Sequence, residues 1–363
     1  MKKVLLSIIM ASTLLNAGGY KIPEQSADSL GLAASNVAFS FGADAAYFNP
    51  ANMMFLDGRH HLESTLGWFH INKLEFKSDS GKSYKSEKFD SLAGTFSFVT
   101  PEIYENWKFG LALAVPAAVG VSWEDPATAF TAKRFKLQVV ELNPTVAYRI
   151  NDKLAVALGA RGVYSKGKIA SDFGRIGYRE IKGDGMGYGY NVALTYRPIE
   201  DLSFAVTYRS NVNLELKGHT DADFYNLPIS YHGKTKVEIP LPAQLVLAAG
   251  YKFSDFTLLL AFERTYWSKF KGYDFEYMDK GPAHSHPAFA RFMDDPVIKN
   301  AKDTNTYRLG LAYDVNEKFR LMAGFAYDED ITSSKHTGLE LPNTTSKVYS
   351  FGVNYKFTPN LEM

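Results

Sequence analysis

From Arg59 onward an apolar or aromatic residue recurs at every second position through segment after segment, and a period of two excludes a helical fold. In residues 201–209, Leu202, Phe204, Val206 and Tyr208 share one face, while Ser203, Ala205, Thr207 and Arg209 share the other. Residues 185–197 repeat the pattern, with Met186, Tyr188 and Tyr190 opposed to Gly187, Gly189 and Asn191. One face is large and greasy and the other small or polar, which suits a wall with lipid outside and a crowded lumen inside.

The same register runs through 141–150, 154–164, 244–253, 256–262, 307–315, 319–327 and 347–357, with less regular segments at 61–69, 89–99 and 107–115. Together these make about twelve strands, each long enough for the roughly 9 to 11 tilted residues that cross a bilayer. Tight polar turns at 150–153, 198–201, 253–255, 315–318 and 358–360 alternate with long connections at 171–184, 217–236, 277–303 and 331–345. Short turns at one rim and long loops at the other are the pattern of an outer-membrane barrel, with Tyr and Phe at strand ends as aromatic girdles. A soluble β-sandwich would hide its apolar face and has no use for so many aromatics at strand ends.

Lys2 and Lys3 precede the apolar run Val4 to Leu15, and Leu15-Asn16-Ala17 offers a cleavage site, so residues 1–17 read as a secretory signal peptide. Without those two lysines the 40 basic residues fall to 38 against 39 acidic, a formal charge of −1 that implies no nucleic-acid partner. No cysteine is present, so disulfides and thiolate metal sites are excluded in an exported chain. Residues 18–58 differ in texture from the rest of the chain. Small residues crowd around Gly31 and Gly42 and the stretch ends in Asn49-Pro50-Ala51, as a compact plug inside a larger structure would require; residues 59–363 form the barrel around it.

Gly19-Tyr20-Lys21-Ile22-Pro23-Glu24-Gln25-Ser26, then Ser29-Leu30-Gly31-Leu32-Ala33, then Asn49-Pro50-Ala51, resemble the mature N-terminus of the FadL-type outer-membrane transporters of long-chain fatty acids and hydrocarbons. Residues 142–151 and 307–313 look like the same family. The resemblance implies an all-β transmembrane antiparallel barrel of 14 strands with an N-terminal hatch, in the outer membrane of a Gram-negative bacterium. It further implies an apolar groove at the cell surface that captures a fatty acid or hydrocarbon, a deeper pocket, and sideways release into lipid where the third strand is kinked. A monomer inserted by the barrel-assembly machinery is expected, without cofactor. The strand starting at Trp107 contains Pro116 and Gly120, which weaken pairing where such an opening would lie. The chain stops at Met363, just after a short turn, where the family pattern needs two more strands. Because an open edge in lipid leaves backbone groups unpaired, continuation beyond Met363 is the expectation, and closure with about twelve strands the other reading.

Lumen-facing parity puts Glu141, Arg161, Arg209, Glu263 and Arg308 at mid-height, with Glu141–Arg161 and Glu263–Arg308 placed for cross-strand ion pairs. Arg209 has no acid on either neighbouring strand, so its partner should be a ligand carboxylate or one of the hatch acids Glu24, Asp28 and Asp44. The family comparison points instead to Lys166, which parity turns toward lipid, and to Lys299. Phe289 and Phe292 lie in a long-loop segment that suits a short helix with an apolar face, placed to take ligand from outside or to pack on the rim. His284-Ser285-His286 lacks a third metal ligand, and no nucleophile elbow, phosphate loop or zincin motif occurs. A general diffusion porin and an outer-membrane lipid hydrolase are the rival functions.

Overall fold

The computed structural model describes residues 6–11, 19–78, 80–294, 296–333 and 336–363. Most of the expected signal peptide, residues 1–5 and 12–17, lies outside the described residues, as does Gly18. The barrel wall consists of β1 (His61–Ile71), β2 (Phe89–Val99), β3 (Trp107–Ser122), β4 (Arg134–Asn151), β5 (Leu154–Asp172), β6 (Gly177–Ile199), β7 (Leu202–Arg209), β8 (Val212–Phe224), β9 (Tyr231–Leu241), β10 (Ala243–Phe253), β11 (Phe256–Tyr266), β12 (Thr304–Asn316), β13 (Phe319–Asp328) and β14 (Ser346–Thr358). β7 and β8 are two halves of one strand broken at Ser210 and Asn211, and β9 and β10 are halves of the next, broken at Pro242. The wall is therefore twelve strands, each antiparallel to its neighbours, and the thirteenth and fourteenth implied by the resemblance are not among the described residues. β1 and β14 do not pair with each other: β1 carries Leu6–Ala11 in parallel on its other edge, and β14 carries Leu361–Glu362. No described helix is long and apolar enough to cross a membrane.

Two segments expected as long loops are strands instead. Residues 171–184 hold only a four-residue turn, 173–176, between β5 and β6, and 217–236 belong mostly to the β8–β9 hairpin. The reason is an inversion of polarity along each long strand. In the half of β6 toward the short turns the outward residues Tyr188, Tyr190 and Leu194 are apolar and the inward Asn191, Ala193 and Thr195 are small or polar. Nearer the long loops, without a change of parity, Ile181 turns in to the core while Glu180, Lys182 and Asp184 turn out. β4 behaves alike: Phe135, Leu137 and Val139 are buried inside, with Glu141, Asn143 and Thr145 next along the same face. The outward face passes from lipid to water, and the inward face does the opposite.

Residues 19–58 occupy the half of the lumen with the small and polar lining. Within them α1 (Ala27–Gly31) has a capping box made by Ser26 and Ser29, and α2 (Ala45–Phe48) runs into a 3₁₀ turn, Pro50–Phe55. Ala45, Ala46, Ala51 and Met53 pack on the inward alanines of β3, β4, β5 and β6. Contact is close enough that a Cβ at Gly324 would lie 2.4 Å from the Leu32 carbonyl carbon. Asn49 donates to the Val37 carbonyl and to Thr195 Oγ1 on β6, both at 2.8 Å, and Thr195 in turn donates to Asn52. Pro50 opens the 3₁₀ turn and Ala51 is fully buried, its N–H donating to the Asn49 side chain.

Candidate ligand path

Above α1 and α2 the lumen is apolar. Phe135, Leu137, Val163, Leu214 and Leu216 of the wall converge there on Tyr20 and Trp267. The loops that roof this chamber carry α3 (Pro287–Phe292), begun by a proline and capped by the His286 side chain. Phe289 is buried against Tyr277 and His284, at 5.4 and 4.3 Å between ring centroids, and Phe292 packs on Phe173 and Phe224, each at 5.6 Å. The Tyr277 hydroxyl donates to the Met293 carbonyl at 2.8 Å, and burial pushes the phenol up to about 12, so it stays a neutral donor. His284 and His286 are thus used in packing and capping; among the described residues no group of His, Cys, Asp and Glu could hold a metal ion.

The floor of the chamber is charged. Arg161 on β5 donates to Glu141 on β4 from Nε and Nη2, at 3.0 and 2.8 Å, and Arg209 on β7 bonds the other oxygen of the same carboxylate. This corrects the expectation for Arg209: its acid partner is Glu141 of the wall rather than Glu24, Asp28 or Asp44. Strand neighbourhood does not reveal Glu141, because two strands separate β4 from β7 while both side chains meet inside the lumen. Arg209 also donates to the Tyr47 carbonyl at 3.1 Å and lies over the Tyr47 ring. Nearby Glu263 accepts from Lys21 at 2.5 Å and Arg308 at 3.2 Å, and Arg308 holds the Ala33 carbonyl. Two carboxylates bonded to four cations surround a cavity of about 60 Å³ lined by Lys21, Arg161, Arg209, Arg308 and Glu263, and Glu24 and Asp328 also lie near enough to act on Arg308.

Lys299 is elsewhere. It is buried in the roof, paired with Glu340 of the 329–345 loop. Lys166 is exposed on the outer face of β5, away from Arg161 and at the edge of an opening in the wall.

That opening is a window between β2 and β3. The two strands pair only from Phe96–Leu113 to Val99–Gly110, and β3 then bulges against β4 between Ala114 and Ala117, the stretch that holds Pro116. Beyond the gap the Glu87 N–H donates to the Ser122 carbonyl, so the window is closed at both ends. The N-terminal segment takes the edge that β2 leaves. Ile22 N–H donates to Pro116 and Ala118 N–H to Tyr20, both at 2.9 Å, while the Gln25 amide side chain exchanges two hydrogen bonds with the Val115 backbone. The resulting cavity, about 440 Å³, runs from Tyr20 and Ile22 past Phe89, Leu92 and Val119 to Tyr164 and Lys166 outside. Gly120 lies under the Phe89 ring, where an added Cβ would come within 2.3 Å of it.

Residues 8–363 match the family model described as outer membrane protein transport protein (OMPP1/FadL/TodX). Outer membrane protein P1 of Haemophilus influenzae is 24% identical over 424 residues, covering 100% of this chain and 89% of that protein. The long-chain fatty acid transport protein of Escherichia coli K12 is 23% identical, covering 97% and 87%. Among solved structures a FadL homologue from Pseudomonas aeruginosa superposes with a TM-score of 0.82 at 18% identity over 94% of this chain and 88% of the other. The toluene transporter TbuX of Ralstonia pickettii gives 0.72 at 19% identity over 92% and 90%. These structures show the fold, a large antiparallel β-barrel. Members of the matched family are transport channels of the Gram-negative outer membrane and not enzymes. With its barrel wall, filled lumen and a match over nearly its whole length, the chain belongs to the outer membrane protein transport protein family (OMPP1/FadL/TodX).

Proposed function

We propose that the chain conducts long-chain fatty acids or other hydrophobic molecules passively across the outer membrane, and that they leave sideways through the window between β2 and β3. The observation that carries this is the continuous apolar cavity from Tyr20 and Ile22 to the lipid-facing side at Tyr164. Ligand meets the roof beside the half-buried Phe292, which shares its short helix with the buried Phe289, enters the chamber with a gain of ~0.8 kcal/mol per buried CH₂, and turns outward at Pro116 because α1 and α2 fill the lumen below. Relatives named as a long-chain fatty acid transport protein and a toluene transporter support a hydrophobic cargo. The guanidinium and ammonium donors of Arg161, Arg209, Arg308 and Lys21 in the cavity lining would suit one with an anionic end. Residues 18–58 act as the hatch and Asn49-Pro50-Ala51 as the part that ties it to the wall.

The test uses the absence of native cysteines. Leu92→Cys and Val119→Cys, both in the cavity lining and on opposite sides of the window, are joined by a short reducible bis-maleimide. Uptake of a labelled fatty acid into cells is expected to fall at least tenfold on cross-linking and to recover on reduction. Unchanged uptake in fully cross-linked protein rules out the sideways route. A steady large current in a planar bilayer, in contrast, would favour the open porin, which the packing of Ala45, Ala51 and Met53 on the wall disfavours.

A further inference from the structure

On the outward face of the barrel, beyond the apolar band, one row of directly paired positions is almost wholly cationic. Lys136 on β4 pairs with Lys168 on β5, Lys168 with Lys182 on β6, Lys182 with His219 on β8, and His219 with Lys234 on β9. Directly paired positions share a face, so the five side chains form a belt roughly 19 Å wide at ~4.8 Å per strand. Like charges set opposite each other on neighbouring strands oppose pairing. The belt therefore runs against the sheet's own stability, and its inward neighbours Leu137, Ile169 and Ile181 explain the strands but not the lysines.

The adjacent row adds Lys166, Lys217 and Lys236, with Asp184 between the first two and Glu276 paired beyond Lys236. Internal carboxylates neutralise only part of this surface. Glu180 bonds both Lys168 and Lys182, Glu215 bonds both Lys217 and Lys236, Glu238 and Glu276 also reach Lys236, and Asp221 pairs with His219. The ammonium groups of Lys136, Lys166 and Lys234 form no ion pair among the described residues, although the Asp279 carboxylate accepts from the Lys234 backbone N–H at 2.7 Å. Position narrows the partner. Met186, half exposed, and Tyr164 mark the end of the lipid-facing band. The two rows lie two and four residues beyond Met186 along β6, roughly 5 and 10 Å higher at a rise of ~3.3 Å per residue and a tilt of ~40°. That is the level of outer-leaflet headgroups, on the rim with the long loops.

We propose that this belt binds the phosphates of an anionic glycolipid of the outer leaflet, holding one such lipid against β4, β5, β6, β8 and β9. A phosphomonoester offers three acceptor oxygens and up to two charges, and Lys ammonium groups donate to them from several strands at once. Lys166 and Lys136 stand at the edge of the window, so the bound lipid would flank it.

The test titrates the full-length protein in neutral detergent with lipid A bearing two phosphates, and with the same lipid after removal of both. Binding is read by thermophoresis, and folding of each variant by its heat-modifiable mobility. Lys168→Gln, Lys182→Gln and Lys234→Gln together are expected to weaken binding of phosphorylated lipid at least tenfold. Lys153→Gln, Lys318→Gln and Lys356→Gln at the opposite rim, an equal change of charge, are expected to alter it less than twofold. Equal affinity of wild-type protein for the dephosphorylated lipid overturns the proposal even if the belt variant fails to fold. So does an equal loss in both triple variants, or no loss in either.

Discussion

The guanidinium of Arg197, at the short-turn end of β6, lies 4.1 Å from the ring centroid of Phe55. The same cation meets Phe39 at 4.7 Å, and Lys252 approaches Phe39 from β10 at 4.9 Å. Wall cations thus hold rings of the N-terminal segment by their faces, an attraction of about 0.5–2 kcal/mol where water is excluded. Arg197→Ala should therefore release the hatch more often, by about tenfold if 1.4 kcal/mol is lost. Single-channel recording would show more frequent brief openings, and Arg197→Lys should fall between the two.

Glu141 is the acid on which Arg161 and Arg209 both depend. Removing it leaves two buried guanidinium groups without a carboxylate, and breaking such a pair costs about 3–5 kcal/mol. Glu141→Gln is expected to lower the urea midpoint of unfolding in lipid vesicles far more than Arg209→Gln, which leaves Arg161 and Glu141 paired. If Arg209 also favours an anionic cargo, Arg209→Gln should narrow the difference in binding between a fatty acid and the alkane of equal length. Ligand titration of the refolded protein measures both.

At the window, Gly120 is the position where added volume meets Phe89. Gly120→Val should fill the opening and reduce fatty-acid uptake at least tenfold while the barrel still assembles. Adding Phe89→Ala removes the obstructing ring and should restore most of the uptake, as a whole-cell assay of the single and double variants would show.

His232 on the β8–β9 hairpin, outside the lipid-facing band, lies between Asp221 at 3.2 Å and Asp223 at 3.0 Å. Hydrogen bonds from the imidazolium to these carboxylates, Asp221 foremost, raise its pKa above the usual 6.5. A raised folded value means that the imidazolium contributes stability fully below about pH 6.5. That contribution is lost as pH rises through the folded pKa. NMR titration should place His232 above 6.5, and Asp221→Asn with Asp223→Asn should return it toward that value.

Deleting residues 35–53 should turn a closed barrel into a leaky one. Bilayer conductance unchanged by the deletion would mean that this stretch does not block the lumen.

The membrane-crossing wall is legible in the sequence because its outward face, such as Tyr188, Tyr190 and Leu194, must be apolar at every second position. The strand extensions are not, because beyond the bilayer that same face carries Lys182 and Glu180, and the apolar signal moves to Ile181 on the other side. Tracking one face through its change of polarity is the signal that would reveal them. Glu141–Arg161 and Glu263–Arg308 follow from equal height on adjacent strands, and both are bonded. The Arg209–Glu141 contact spans the lumen, and Lys299–Glu340 joins two loops, so neither follows from strand register.

The edge of β3 beside Pro116 is satisfied by Tyr20, Ile22 and the side chain of Gln25, which stands in for a peptide group. Such an edge in a low-dielectric wall cannot be left bare without losing several kcal/mol per group. The N-terminal segment and β2 are therefore competitors for one set of hydrogen bonds. On the proposed route, release of the first lets the second zip onto β3, which makes hatch and side exit a single two-throw switch rather than two independent gates.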